Sequence, residues 1–190
     1  LNDDSLTVKD FRQRIQQRLA QEEELVIDKS FFQAIQQHCP AVSRVEIRLK
    51  RGDFINELTK YRYDVILHCD AEETVCLPEN SVSWKACGDS DAIKQQLGAG
   101  DHLLVTGIPN RRLVEDLLFE KLLGDADEET LISSLEIPTE SDSCSPEQLT
   151  DGWGDDVQAL LLPSNDAGSF DLLLRRNESA VKPCYGGEQA

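Results

Sequence analysis

The apolar residues of this chain change their period at Pro40, and that change fixes what the first third can build. Upstream, Val8, Phe11, Ile15 and Leu19 recur at helical spacing with polar residues between them. Residues 7–20 therefore form an amphipathic helix, with Thr7 placed to cap its start. Asp28 caps a second helix, in which Phe31, Phe32 and Ile35 point inward until Pro40 ends it. Downstream, in "SRVEIRLK", Val45, Ile47 and Leu49 alternate with Glu46, Arg48 and Lys50, the pattern of a strand with one wet face. In "YDVILHC", Val65, Ile66 and Leu67 run together, as in a strand buried on both sides. The connection between these strands, Arg51 to Lys60, is longer than the two to five residues usual for a hairpin. Long connections between strands tend to carry function.

The remainder reads less evenly. Residues 71–88 are irregular, with Trp84 as an anchor, and a helix follows around 90–97. "HLLVTGI" is a strand, and Asn110 to Leu123 a helix with Asn110 as its cap. The acidic, Ser-rich stretch 125–145 suggests one short helix and a mobile loop. "VQALLL" and "SFDLLLRR" flank "PSNDAG" as a closing antiparallel hairpin, and the residues after Arg176 have the composition of a linker. No internal repeat is visible.

Charge divides the chain. Residues 1–69 carry 11 Lys/Arg against 11 Asp/Glu, whereas residues 70–190 carry 8 against 25, which accounts for the whole net charge of −17. The break suggests two units meeting near residue 70. The acidity argues against a nucleic-acid partner. No apolar run approaches the roughly 20 residues that span a bilayer, so no membrane partner and a soluble, cytoplasmic protein are expected. The six cysteines, Cys39, Cys69, Cys76, Cys87, Cys144 and Cys184, are irregularly spaced, and reduced thiols are the expectation. The chain begins at Leu1 and contains no Met, which reads as a piece of a longer polypeptide.

Several motifs invite a chemical reading. "LGAGD" resembles a phosphate loop, but it leaves a helix and enters a strand, the reverse of the order such a loop needs, so it reads as a helix cap and turn. "TGIPNRR" has strand, turn and helix in order. Its Arg111 and Arg112 sit unfavourably at the positive end of a helix dipole unless an acidic partner answers them. They are candidates for partner docking, the alternative being an ordinary capped helix. His68, Cys69, Cys76 and Cys87 lack the close Cys-x-x-Cys or His-x-x-x-His pair of a zinc site, and no metal is expected. The Arg51 to His68 region is richer. It sets Asn56 and Glu57 between Arg51 and Arg62, with Tyr61 and Tyr63 beside them, a way to hold a polar substrate or a base. Its alternative is a set of solvated charges and strand-edge aromatics.

The string "RLAQEEELVIDKSFFQAIQQHCPAVSRVEIRLKRG" followed by "NELTKYRYDVILH" closely resembles the C-terminal part of the methyltransferase domains embedded in nonribosomal peptide synthetases and in hybrid polyketide/peptide synthetases. The family pattern runs "EEELVVDP-FF", "LKRG", then "NELxxYRYDVVLH". Downstream, "TGIPNRRL", "PEQL" and "GSFDLLLRR" fit as well, so the resemblance covers residues 5–176. Lys29 stands where proline is usual, and Asp53-Phe54-Ile55 replaces an Arg- or His-rich loop centre.

The resemblance implies an α/β fold: the C-terminal portion of a class I (Rossmann-like) methyltransferase sheet, followed by a small α+β accessory subdomain. Residues 1–70 would hold the last helices and the last two strands of the core, 71–176 the accessory subdomain and 177–190 a linker. It implies N-methylation of an aminoacyl thioester, carried on the phosphopantetheine arm of a carrier protein, with S-adenosylmethionine as donor. The upstream half of the methyltransferase, which holds the cofactor loop, would lie in the same polypeptide, with adenylation and condensation domains as further partners. Ligands in such sheets sit beyond the C-terminal ends of the parallel strands. The loop 51–60 would face that mouth, with Glu57, Tyr61 and Tyr63 as catalytic candidates and Asn56, Arg62 and Arg51 as substrate-binding ones. The rival expectations are a non-catalytic module that docks domains of a synthetase and a free-standing acidic adaptor.

Overall fold

A computed structural model describes residues 5–69, 80–138 and 143–177; Cys76 and Cys184 lie outside them. The chain runs through α1 (Val8–Ala20), α2 (Lys29–His38), β1 (Val42–Leu49), α3 (Glu57–Tyr61), β2 (Tyr63–Cys69), β3 (Ser81–Ser83), α4 (Trp84–Cys87), α5 (Ser90–Leu97), β4 (His102–Pro109), α6 (Val114–Asp125), α7 (Pro146–Thr150), β5 (Val157–Pro163) and β6 (Ser169–Arg176). It is a mixed α/β chain. It divides into two compact units, one of Leu1–Ile27 with Leu113–Asp142 and one of Asp28–Arg112 with Ser143–Ala190.

The first unit pairs α1 with α6. Thr7 caps α1 by accepting the Asp10 N–H at 3.2 Å. Phe11 meets Phe119 edge to face at 5.8 Å, a favoured aromatic geometry, and the Arg12 guanidinium donates to the Leu123 carbonyl at the far end of α6. The residues before α1 bridge Leu131, with the Val8 N–H on Thr130 O at 2.9 Å and the Ile132 N–H on Leu6 O at 2.9 Å. Among the described residues of 125–145, the expected short helix is a 3-10 turn, Ile132–Ser134.

The second unit holds two sheets. In the smaller, β1 and β2 pair antiparallel, and Val42, Val45 and Ile47 bury a face against Phe32 and Ile35 of α2, which Asp28 caps. In the larger, the order is β3-β4-β6-β5; β3 and β4 are parallel, the other pairs antiparallel. One face packs Phe170, Leu172 and Leu174 of β6 with Leu103, Val105 and Ile108 of β4, Ile93 and Leu97 of α5, and Leu149 of α7. The other face carries Leu160 and Leu173.

Three expectations change here. Burial on both sides belongs to β6, whose Leu172, Leu173 and Leu174 are all within 1% of complete burial, and not to β2, where Leu67 is 42% exposed. β6 has a neighbour on each edge and side chains over both faces, whereas among the described residues β2 pairs with β1 alone. The wet face of β1 is dry at Glu46 and Arg44, which are 2% and 4% exposed. And α6 begins at Val114 rather than at Asn110, because Asn110 is held in a bridge to Cys144 and its side-chain oxygen takes the Arg112 N–H at 3.1 Å. Those two ties keep residues 110–112 out of a helix.

Candidate functional site

The β1–β2 connection carries the short helix α3. Asn56 is the N-cap of α3: its side-chain oxygen accepts the Leu58 and Thr59 N–H groups at 2.9 and 3.2 Å, and the Thr59 hydroxyl takes the Asn56 N–H at 3.1 Å. This reciprocal box satisfies the orphan donors of the first turn. The same hydroxyl donates to Phe54 O at 2.7 Å, which folds the tip back on itself. Asn56 is thus engaged by its own backbone.

Glu57 opens α3 with its carboxylate largely exposed, and Arg62, just past the end of α3, donates to it at 2.9 Å. Tyr61 lies one turn on from Glu57 and is 56% exposed. Phe54, Ile55 and Leu58 are exposed on the same loop. Tyr63 behaves differently. It starts β2 and sets its ring edge to face with Phe32 at 6.3 Å, against the smaller core. Burial pushes its phenol up, and the Asp28 carboxylate adds to the shift, so near neutrality it is a hydrogen-bond donor and not a base. Arg51 turns away from Glu57, to the Thr150 hydroxyl at 3.0 Å and the Asp151 carboxylate at 3.5 Å. The structure therefore groups Glu57, Tyr61 and Arg62, and places Tyr63 and Arg51 elsewhere.

Arg111 is exposed, but Arg112 is 2% exposed. The expectation that both arginines reach a partner fails for Arg112, because its guanidinium is used up inside. It donates to Lys50 O at 2.8 Å, to Thr59 O at 2.9 Å and to the Glu147 carboxylate at the start of α7. Glu147 also accepts the Gly52 N–H at 3.2 Å and the Ser145 hydroxyl at 3.1 Å. Burial by itself would raise the Glu147 carboxyl. Its own backbone N–H, that of Gly52, the Arg112 charge and Ser145 together outweigh this and hold it below the usual carboxylate range.

Two further groups escaped the sequence reading. Glu46 gathers Arg44 at 3.4 Å, His68 at 3.3 Å and Arg48 into one cluster across β1 and β2. An open cavity of about 570 Å³ is lined by Arg48, Leu49, Arg51, Asp64, Thr150 and Leu160. The only signal for the first was the alternation that sets Arg44, Glu46 and Arg48 on one side of β1; the register that puts Arg44 opposite His68 was hidden by the long connection. The second needs β5, roughly a hundred residues downstream, and had no local signal. Among the described residues no group of three or more His, Cys, Asp or Glu side chains could hold a metal ion, and Cys39, Cys69, Cys87 and Cys144 form no disulfide. No helix among them is long and apolar enough to cross a membrane.

No family model matches the chain. It is 30% identical over 188 residues, covering 90% of its length, to the chondramide synthase of Chondromyces crocatus. It is 37% identical over 117 residues to a probable non-canonical nonribosomal peptide synthetase of Salinispora arenicola, covering 61% of this chain, and 33% identical over 135 residues to a nonribosomal peptide synthetase of Emericella nidulans, covering 66%. The chain spans only 5%, 1% and 5% of those three proteins. Over most of its length, then, the chain is a homologue of short segments of nonribosomal peptide synthetases.

Proposed function

We propose that this chain is the acceptor-side half of a methyltransferase domain in a nonribosomal peptide synthetase, serving N-methylation of an aminoacyl thioester on a carrier protein. The observation that carries the reading is the "NELTKYRYDVILH" segment. Its residues resemble the methyltransferase pattern, and its fold presents Glu57, Tyr61 and Arg62 together on an exposed, capped helix between two strands. The similarity to synthetase segments supports the setting. Phosphopantetheine would carry the substrate on a partner carrier protein, with adenylation and condensation domains elsewhere in the polypeptide.

S-adenosylmethionine would supply the electrophilic methyl group. The described residues do not fit it: the glycine turn at Gly98 closes α5 and leads into β4, the wrong order for a nucleotide-binding loop. The cofactor would belong to the upstream half, and no step on this chain passes through it. What this chain contributes is acceptor handling. Methyl transfer needs an unprotonated amine held in line, so a carboxylate in reach of the ammonium can bind it and take its proton. Glu57 suits that task, because Arg62 orients the carboxylate while leaving it open to solvent. Tyr61 would orient the amine or thioester from the next turn. Tyr63 would stiffen the strand behind them, Arg51 would anchor the loop base, and Arg111 would meet an acidic carrier.

A second reading, a non-catalytic docking module, draws on the exposed Phe54, Ile55 and Leu58 beside Glu57. Replacing Glu57 by Gln and Tyr61 by Phe in the intact synthetase separates the two. The proposal expects loss of methylated product with aminoacyl loading intact; unchanged methylation by both variants supports docking.

A further inference from the structure

The buried guanidinium of Arg112 joins both ends of the loop that carries Glu57. Lys50 is the first residue beyond β1, and Thr59 sits in the middle of α3, yet their carbonyls lie 2.8 and 2.9 Å from the same terminal nitrogen of Arg112. The other terminal nitrogen reaches Glu147, whose same oxygen takes the Gly52 N–H at 3.2 Å. Three points of one loop, residues 50, 52 and 59, are thereby tied to one buried ion pair. Gly52 leaves little slack: a Cβ there would meet the Thr59 methyl at 3.1 Å, in a backbone with φ +156°. Beyond this knot the loop runs outward to Phe54, Ile55 and Glu57, all exposed. A lysine in place of Arg112 would keep the charge but not the planar fork that serves three acceptors at once.

We propose that Arg112 is a positioning residue, which draws the base of the 51–60 loop closed and so fixes where α3 holds Glu57 and Tyr61 against the methyl acceptor. The claim on the loop stands on geometry alone; the claim on the acceptor rests on the methyltransferase reading. A buried arginine bonded to carbonyls at both ends of a loop restricts it in a way that surface ion pairs cannot, because opening the loop would cost each carbonyl its charged donor.

The test has two arms. Amide hydrogen exchange is followed in the 190-residue chain for the wild type, Arg112→Lys and Glu147→Gln. Arg112→Lys is expected to speed exchange of residues 52–60 about tenfold or more, as loss of one charge-assisted hydrogen bond would, while β4 and β6 keep their protection. Glu147→Gln, which leaves the arginine in place, is expected to do the same to a smaller extent and decides the matter if Arg112→Lys fails to fold. In the intact synthetase the same variants are expected to lower kcat for methylation by up to about 100-fold with KM for the aminoacyl carrier unchanged, the sign of misplacement rather than lost binding. Loop exchange that stays at the wild-type rate, or that rises equally in β4 and β6, overturns the proposal. A loosened loop with unaltered kcat overturns its functional half. A wild-type synthetase that transfers no methyl group overturns the methyltransferase reading, and the exchange arm then still decides whether Arg112 closes the loop.

Discussion

The Asp171 carboxylate accepts the Gly107 N–H at 2.9 Å across the β4–β6 ladder, at the point where the ladder slips. Val105 pairs with Leu172 and Ile108 with Phe170, so two residues of β4, Thr106 and Gly107, face the single Asp171. Such a bulge leaves an N–H without a ladder partner. Gly107 adopts φ +69° to make it, and the side chain of Asp171 replaces the missing carbonyl.

Asp171 should make stability fall with rising pH. Burial raises its carboxyl above the usual value, and the opposing Gly107 N–H, Ser164 hydroxyl and Lys29 charge do not cancel the rise. Between the usual value and the raised one, the folded chain holds a proton that the unfolded chain has released, and stability declines as pH climbs through that window. Asp171→Asn keeps an acceptor for Gly107 and cannot ionise. Its melting temperature relative to the wild type should rise between pH 3 and pH 7, and a constant difference across that range would contradict the assignment.

Gly107→Ala isolates the cost of the left-handed backbone. Nothing lies within 4 Å of the added Cβ, so no clash contributes. A loss of about 1 to 2 kcal/mol is expected from conformation alone, read from the urea midpoint with an unchanged m-value.

Glu147 carries the opposite sign. Its carboxyl is held below the usual range, so the stability it contributes is present above that range and is lost as pH falls through its folded value. Glu147→Ala leaves the Arg112 guanidinium buried without its counter-charge, a loss of about 3 to 5 kcal/mol at neutral pH. The gap between wild type and Glu147→Ala should narrow in acid, and denaturant unfolding at pH 7 and pH 3 measures it.

Glu46→Ala should be as costly by the same route, about 3 to 5 kcal/mol, because it removes the carboxylate that faces Arg44, which is 4% exposed. Arg62→Ala, which breaks the exposed pair with Glu57, should change stability by less than about 1 kcal/mol. The two urea midpoints, measured side by side, separate buried from exposed charge in one protein.

S-adenosylmethionine titrated into this chain should give no saturable heat, and should bind a polypeptide extended upstream by roughly one further domain half. Saturable binding to the short chain would mean that the cofactor site had been misplaced and that the role given to Glu57 must be rebuilt.

Much of this fold was legible because it is set locally. Thr7, Asp28 and the Gly98 turn read as helix boundaries and act as such, since a cap needs only its own first or last turn. The β5–β6 hairpin was equally plain, with two apolar runs on either side of a turn-forming segment. Within the loop, "NELT" is a capping box, a signal carried by four adjacent residues.

What the sequence could not decide was which face of an element would be covered. Alternation along β1 told which residues share a side, and Glu46 and Arg44 do. Whether that side meets water depends on chain far away, and it is buried. The three consecutive aliphatic residues of β2 and of β6 look alike as text, yet among the described residues β6 gains neighbours on both edges and β2 on one. Arg112 is the sharpest case. Sequence placed it at a helix start facing an unknown anion; the fold supplied that anion itself, as Glu147, 35 residues on and brought in by α7. Periodicity and caps are properties of a few adjacent residues and survive in one dimension. Burial and charge pairing are properties of distance in space, and only the folded chain fixes those.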